Sequence, residues 1–129
     1  MTDLPTYVLP PDVAAMTRDE LLALIQIIGR QTLHYPWPVI TPVAVAEAIW
    51  QAASISQQVA SARASAALAR LIAAERALSK SQSPAVRREH TEARIAYDAA
   101  HAAEKRAIAR ERRAWAALSA QWDAERSAS

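Results

Sequence analysis

Three arginines in the second half of the chain, Arg106, Arg110 and Arg113, follow the spacing i, i+4, i+7 that puts side chains on one face of a helix. Guanidinium groups are permanently charged and donate paired hydrogen bonds to phosphates and carboxylates. The predicted basic interaction surface comprises Arg76, Lys80, Arg87, Arg88, Lys105, Arg106, Arg110, Arg112 and Arg113. Its partner would carry phosphates or carboxylates.

Acidic residues are interleaved with these arginines, which favours an ordinary solvated helix face. The acids are Glu89, Glu92, Asp98, Glu104 and Glu111. Arg88–Glu92 and Arg94–Asp98 are spaced as i, i+4 ion pairs. Arg63 and Arg70 lie in alanine-rich stretches, and we expect them to form ion pairs across helices, with Glu104 near Arg63. There is no glycine-hinged helix-turn-helix and no aromatic stacking platform, so nucleic-acid binding is the alternative rather than the first interpretation.

A metal site and a catalytic site are both disfavoured. His101 and Glu104 lie one helical turn apart, but helical di-metal sites use two Glu-x-x-His pairs in the opposite order. His90 lies about 16 Å from His101 along a helix, too far to share one ion. The chain has no cysteine and a single glycine, so it lacks thiolate ligands and phosphate-cradling loops. We expect no enzyme activity, no cofactor and no small-molecule substrate.

Charge is distributed unevenly along the chain. Residues 1–50 carry two basic and five acidic groups, net −3; residues 51–113 carry twelve basic and six acidic groups, net +6; residues 114–129 add −1. Such asymmetry is typical of a surface that meets an acidic partner. The longest apolar run is far short of the ~20 residues of a membrane span. We find no signal-peptide pattern at the N-terminus, and we expect a cytoplasmic or virion-associated protein.

Prolines and capping residues predict where helices begin and end. Thr17 and Glu20 form a capping box, and Thr41-Pro42 and Ser83-Pro84 each read as an N-cap followed by a proline at the first helical position. Gly29 is read as a helix stop or a close contact. The chain is interpreted as one domain with an irregular segment 1–16, a short helix 18–31, a proline-rich connector 32–41, and long helices 42–80 and 84–126.

The break at Ser83-Pro84 predicts that the two long helices fold back on each other, because short connections join antiparallel neighbours. The predicted fold class is all-α: a long, alanine-rich, coiled-coil-like antiparallel hairpin with the short helix packed at its open end, shaped like a club. Residues whose numbers sum to about 165 should then lie level, which pairs Trp50 with Trp115. The predicted seam is the heptad row Val45, Ala48, Ala52, Ile55, Val59, Ala62, Ala66, Ala69 and Ala73.

Large apolar side chains concentrate at the open end and predict a core there. Its members are Leu21, Ile25, Ile28, Trp37, Ile49, Trp50, Trp115, Leu118 and Trp122. The distal half is mostly alanine, and a two-helix arm of this kind is marginal alone. We therefore expect a non-enzymatic assembly or adaptor protein, for example a phage or other multi-subunit component or an inhibitor. It would act through coiled-coil contacts with a protein partner or with another copy in a homo-oligomer.

Overall fold

The described part of the chain is entirely helical in its regular structure, which confirms the predicted fold class. The computed structural model describes residues 11–31 and 40–128. It contains α1 (Pro11–Ala14), α2 (Arg18–Gln31), α3 (Pro42–Lys80) and α4 (Pro84–Ala128). The two long helices form the hairpin, and α2 is the short N-terminal helix. The bounds of α2 and α3 coincide with the predicted ones, and α4 runs two residues further than predicted.

Local capping bonds explain where the helices start. The backbone N–H of Glu20 donates to Thr17 Oγ1 (3.3 Å) and that of Thr17 donates to Glu20 Oε1 (2.8 Å), a reciprocal capping box. Thr41 Oγ1 accepts from the N–H of Ala44 at 3.0 Å. The predicted Thr17 and Thr41 caps are confirmed.

The turn between α3 and α4 works without glycine, because polar side chains satisfy its backbone. Ser83 Oγ accepts from the N–H of Val86 at 3.3 Å, which confirms it as the N-cap of α4. Gln82 Nε2 donates to the carbonyl of Leu78 at 2.9 Å, and the N–H of Ser83 donates to Ser81 Oγ at 3.3 Å. Pro84 then sits at the first helical position, where its missing N–H costs little. The predicted break at this point is confirmed.

The chain divides into two compact units, and each long helix contributes to both. The first unit contains the residues up to Ala52 and those from Ala114 onward; the second contains Ala53–Arg113. The interpretation of residues 1–129 as one domain stays a prediction.

In the first unit, α2 packs on the beginning of α3. The buried cluster consists of Val13, Met16, Ala23, Leu24, Ile27, Ala44 and Ala48, with Leu21, Ile28, Val45 and Ile49 packed against it. Ala44 and Ala48 are almost completely buried, so the α2 backbone lies close to α3 at these small side chains. The short helix thus lies against residues 44–49 of α3, as predicted.

In the second unit the core is thin. Leu71, Ala74 and Ala93 form its buried cluster, and Tyr97 is partly buried against them. Ala93 has no exposed surface, so α4 presents a small side chain where α3 presents Leu71. Alternation of large and small side chains lets two helices interlock closely.

Three predictions for the N-terminal side differ from the structure or lie outside the described residues. Residues 11–14, predicted to be irregular, form one helical turn, closed by the N–H of Met16 donating to the carbonyl of Val13 at 3.1 Å. Gly29 does not stop α2, because the helix continues to Gln31, and a Cβ built at Gly29 would meet no atom within 4 Å. The predicted irregular segment 1–10 and most of the connector, residues 32–39, lie outside the described residues.

Candidate interaction surface on helix α3

One heptad row of α3 faces the hairpin partner. In the second unit it runs through Ala53, Gln57, Ala60, Ala64, Ala67, Leu71, Ala74 and Leu78, all of them buried or half-buried. The facing row of α4 runs through Val86, His90, Ala93, Tyr97, Ala100, Glu104, Ala107 and Glu111, with the same alternation of three and four residues. This spacing keeps both rows in register along a helix pair.

The seam predicted from sequence is wrong over most of its length. Its members from Ile55 to Ala73 are all exposed, with Ile55 61% and Val59 44% exposed. The physical reason is that α3 carries two apolar heptad rows on opposite faces, and alanine spacing alone does not say which one meets α4. We call the uncovered row, Ile55, Val59, Ala62, Ala66, Ala69 and Ala73, the outer row.

The sequence contains a signal that could have identified the row of α3 that faces α4. Near the turn this row contains Leu71 and Leu78, seven residues apart, whereas the outer row has nothing larger than alanine after Val59. Large apolar side chains bury more area than alanine, so the row that carries them beside the turn is preferred as the seam there.

The beginning of the predicted row packs against α2. Val45 and Ala48, in the first unit, belong to the same heptad row as Ile55 and Val59. Ala48 is buried in the cluster that includes Leu24 and Ile27 of α2. This row of α3 is therefore one on which a helix packs within the chain itself.

One large apolar side chain extends the exposed surface beside the outer row. Ile72, which directly precedes Ala73 in the sequence, flanks the row and is 40% exposed. Exposed apolar residues scattered singly are normal, but a contiguous set along one helix face is typical of an interaction site.

The charges around the outer row have a single sign. At its C-terminal end the heptad spacing continues into Arg76 and Lys80, which are both exposed. Positions that flank the row are Ser56, Arg63, Arg70 and Ala77 on one side and Gln58, Ser65, Ile72 and Ser79 on the other. Neither the row from Ile55 to Lys80 nor its flanks contain an acidic residue.

One of these flanking cations is already paired. Arg70 donates from Nε to Glu89 Oε1 at 2.7 Å and from Nη2 to Glu89 Oε2 at 3.1 Å, and its Nη2 lies 3.7 Å from Glu92 Oε2. The hydrogen bond from Arg70 lowers the pKa of Glu89 below its ordinary value, and the same bond raises the pKa of Arg70. All three side chains are about half-exposed, so the pair acts in a well-screened environment.

The predicted ion pairs are partly formed. Arg94 Nε lies 3.8 Å from Asp98 Oδ1, as the sequence indicates. Arg70 does reach across to α4, but the predicted partner of Arg63, Glu104, instead lies 3.7 Å from His101 Nδ1. Glu92 contacts Arg70 and not Arg88, because the cross-helix distance brings a guanidinium of α3 within reach.

The predicted basic interaction surface lies wholly in the second unit. All nine of its members are exposed, and in the part of the chain that the structure describes none of them forms an ion pair. Arg76 and Lys80 lie in the last turns of α3, Arg87 and Arg88 in the first turns of α4, and the other five between 105 and 113 of α4. Whether they bind a partner stays a prediction.

The predicted open-end core is only partly reproduced by the burial of its residues. Leu118 is completely buried, and Leu21, Ile28, Ile49 and Trp50 are partly buried. The prediction that Ile25 belongs to the core is wrong, because its side chain is 64% exposed. Helix α2 is apolar on most of its surface, and it buries Ala23, Leu24 and Ile27 instead. Trp37 lies outside the described residues.

Three tryptophans of the first unit form a contact chain. The ring centroids of Trp50 and Trp115 lie 5.3 Å apart, which confirms that these residues are level in the hairpin. Trp115 and Trp122 meet edge to face at 5.6 Å. Trp115 and Trp122 are each more than a third exposed, so they border the core and do not fill it.

The described residues hold no group of three or more His, Asp or Glu side chains arranged to bind a metal ion. His101 stacks on Tyr97 with ring centroids 5.5 Å apart. No helix within residues 11–31 and 40–128 has the length and apolar character needed to cross a bilayer.

No family model, curated protein or solved structure matches this chain.

Proposed function

We propose that the protein is a non-enzymatic helical adaptor or assembly component that binds another protein along the outer row of α3. The observation that carries this proposal is the second heptad row itself. α3 presents one apolar row to α4 and a further one, from Ile55 to Ala73, that no described residue covers.

The residue types on the outer row favour a binding surface over an ordinary solvent-exposed helix face that has no partner. A helix that only needs solubility on its outer side carries charged residues there, as α4 does with Arg88, Lys105 and Arg112. The outer row instead keeps six apolar residues at the spacing that a second helix requires. Its alanines let a partner helix approach closely, while Ile55, Val59 and Ile72 supply larger apolar contacts.

A photo-crosslinking experiment on the full chain tests the proposal. A benzophenone amino acid replaces Ala66 on the outer row or, as the matched control, Ala102, an exposed alanine of α4. In cells that produce the chain, we expect a discrete protein adduct at position 66 that Ile55→Lys removes. Equal adduct patterns at both positions, unaffected by Ile55→Lys, would contradict a docking face on α3.

A second candidate function, nucleic-acid binding, is favoured by the nine exposed basic side chains without ion pairs in the described residues. Lys and Arg groups that meet phosphates release counterions, so binding weakens steeply with salt. We expect the triple change Arg106→Ala, Arg110→Ala and Arg113→Ala to abolish any salt-dependent binding to duplex DNA. If the unchanged protein shows no salt-dependent binding to duplex DNA, this candidate is wrong; binding that survives the triple change would mean that these three arginines do not carry it.

A further inference from the structure

We infer that the outer row of α3 selects an acidic amphipathic helix as its partner, in preference to a second copy of this chain. The inference rests on the proposed function and adds the chemical character of the partner. It follows from the charges that α3 itself contributes to the row and its flanks, which are all positive; within the described residues, the carboxylates of Glu89 and Glu92 on α4 contact only one of them, Arg70.

A helix fits this surface better than an extended segment. The outer row continues the row of α3 on which α2 packs in the first unit, where Leu24 and Ile27 of α2 meet Ala48. Apolar residues spaced three and four apart match only another helix, because a strand places its side chains with a period of two. The partner therefore presents its own apolar row to Ile55, Val59 and the alanines.

The charges decide which helix fits. In a helix pair, the residues that flank the apolar rows set partner choice through their charges. On α3 the flanking and terminal charged residues are Arg63, Arg70, Arg76 and Lys80. Arg70 is engaged by Glu89 and Glu92, whereas Arg63, Arg76 and Lys80 form no ion pair within the described residues.

A second copy would be a poor match for the same surface. In a parallel pair of α3 helices from two molecules the same cations would lie level, and in an antiparallel pair no carboxylate on the row from Ile55 to Lys80 or its flanks would meet them. The second unit as a whole carries twelve basic and six acidic residues, which adds to the repulsion. A partner helix with glutamates beside its apolar row would replace this repulsion between cations with attraction.

Two synthetic helical peptides of four heptads serve as probes. Both carry the same leucine and isoleucine row; one has glutamate at every flanking position and the other lysine. Fluorescence anisotropy with the full-length protein measures their dissociation constants. We expect the glutamate peptide to bind at least about 10-fold more tightly than the lysine peptide.

Matched variants place the binding on the outer row. Arg76→Gln with Lys80→Gln should weaken the glutamate peptide by about 3- to 10-fold, because two exposed ion pairs are lost. The control, Arg106→Gln with Arg110→Gln, removes two cations of the same spacing from α4 and should change binding by less than about 2-fold. Ile55→Gln should also weaken binding, while Ile95→Gln, at an equally exposed residue of α4, should not. Circular dichroism verifies that each variant stays helical.

Several outcomes overturn the inference, and they separate it from the proposed function. If the lysine peptide binds as tightly and responds to Ile55→Gln, the acidic preference is wrong while the docking face stands. The same holds if sedimentation equilibrium detects a dimer that Ile55→Gln dissociates. If neither peptide nor a second copy responds to Ile55→Gln, both the inference and the docking face on α3 fall.

Discussion

Arg70 and Glu89 join the two long helices near their turn through two parallel hydrogen bonds of 2.7 and 3.1 Å between guanidinium and carboxylate. A planar guanidinium matches the two oxygens of a carboxylate, so such a pair has a preferred geometry as well as a charge. A longer contact, 3.7 Å from Arg70 Nη2 to Glu92 Oε2, joins the same two helices beside it. The pair therefore marks the register of the hairpin.

The Arg70–Glu89 pair should contribute stability that depends on pH in a defined direction. Because Arg70 lowers the pKa of Glu89 in the folded protein below its ordinary value of 4.5, the pair stabilises the fold above that pH. This contribution is lost as the pH falls through the lower pKa of the folded state. We expect Arg70→Gln to reduce the free energy of unfolding at neutral pH and to have no effect at strongly acidic pH, as measured by urea denaturation.

Arg63→Gln is the matched control, because Arg63 is an exposed arginine of the same helix that forms no ion pair within the described residues. Its effect on unfolding should be smaller than that of Arg70→Gln at neutral pH. Equal effects of the two changes, or a loss in Arg70→Gln that persists in acid, would show that the pair has no specific role.

Ser83 should stabilise the start of α4 through its side chain. Ser83→Ala removes the oxygen that accepts from the N–H of Val86, so we expect a loss of about 1 kcal/mol in the free energy of unfolding. Ser65→Ala, an exposed change inside α3, should be neutral or slightly stabilising because alanine is the better helix former. Chemical denaturation followed by circular dichroism compares the two. An equal response would mean that the cap contributes nothing.

Close packing at Ala93 should make this position intolerant of larger side chains. Ala93 is completely buried against Leu71 and Ala74, so Ala93→Leu forces the helices apart. We expect a destabilisation of about 1–3 kcal/mol or more, the range for overpacked sites. Ala102→Leu places the same side chain on the exposed face of α4 and should change stability by less than about 0.5 kcal/mol. A tolerated Ala93→Leu would argue against a close α3–α4 contact here.

Gly29 should be replaceable with a gain in stability. It lies in the last turn of α2 with no positive φ, and a Cβ built there meets no atom within 4 Å. Gly29→Ala reduces the conformational freedom of the unfolded chain, so we expect a stabilisation of about 0.5–1 kcal/mol. Gln26→Ala, at an exposed position of the same helix, should change the free energy of unfolding by much less than Gly29→Ala does. Thermal unfolding measures both, and a destabilising Gly29→Ala would contradict the space found for a Cβ at this position.

The positions of the helices were determined by the sequence itself, because the signals are local. Thr17, Thr41 and Ser83 cap the first turns with their own side chains, and Pro42 and Pro84 exclude helix before them. These interactions span three or four residues and need no partner elsewhere. The fold-back at Ser83-Pro84, and with it the levelling of Trp50 with Trp115, followed from the same local chemistry.

Only the tertiary structure decided which face of each helix is used. An alanine-rich helix offers several apolar rows, and the choice among them depends on how much area the neighbouring helix buries, which is a non-local quantity. For this reason the row from Ile55 to Ala73 was predicted to face α4 but is exposed, and Ile25 was predicted to lie in the core but is exposed. The ion pair between Arg70 and Glu89 was likewise visible only in the structure. The candidate interaction surface on α3 became visible once the structure had placed α4 against the opposite row.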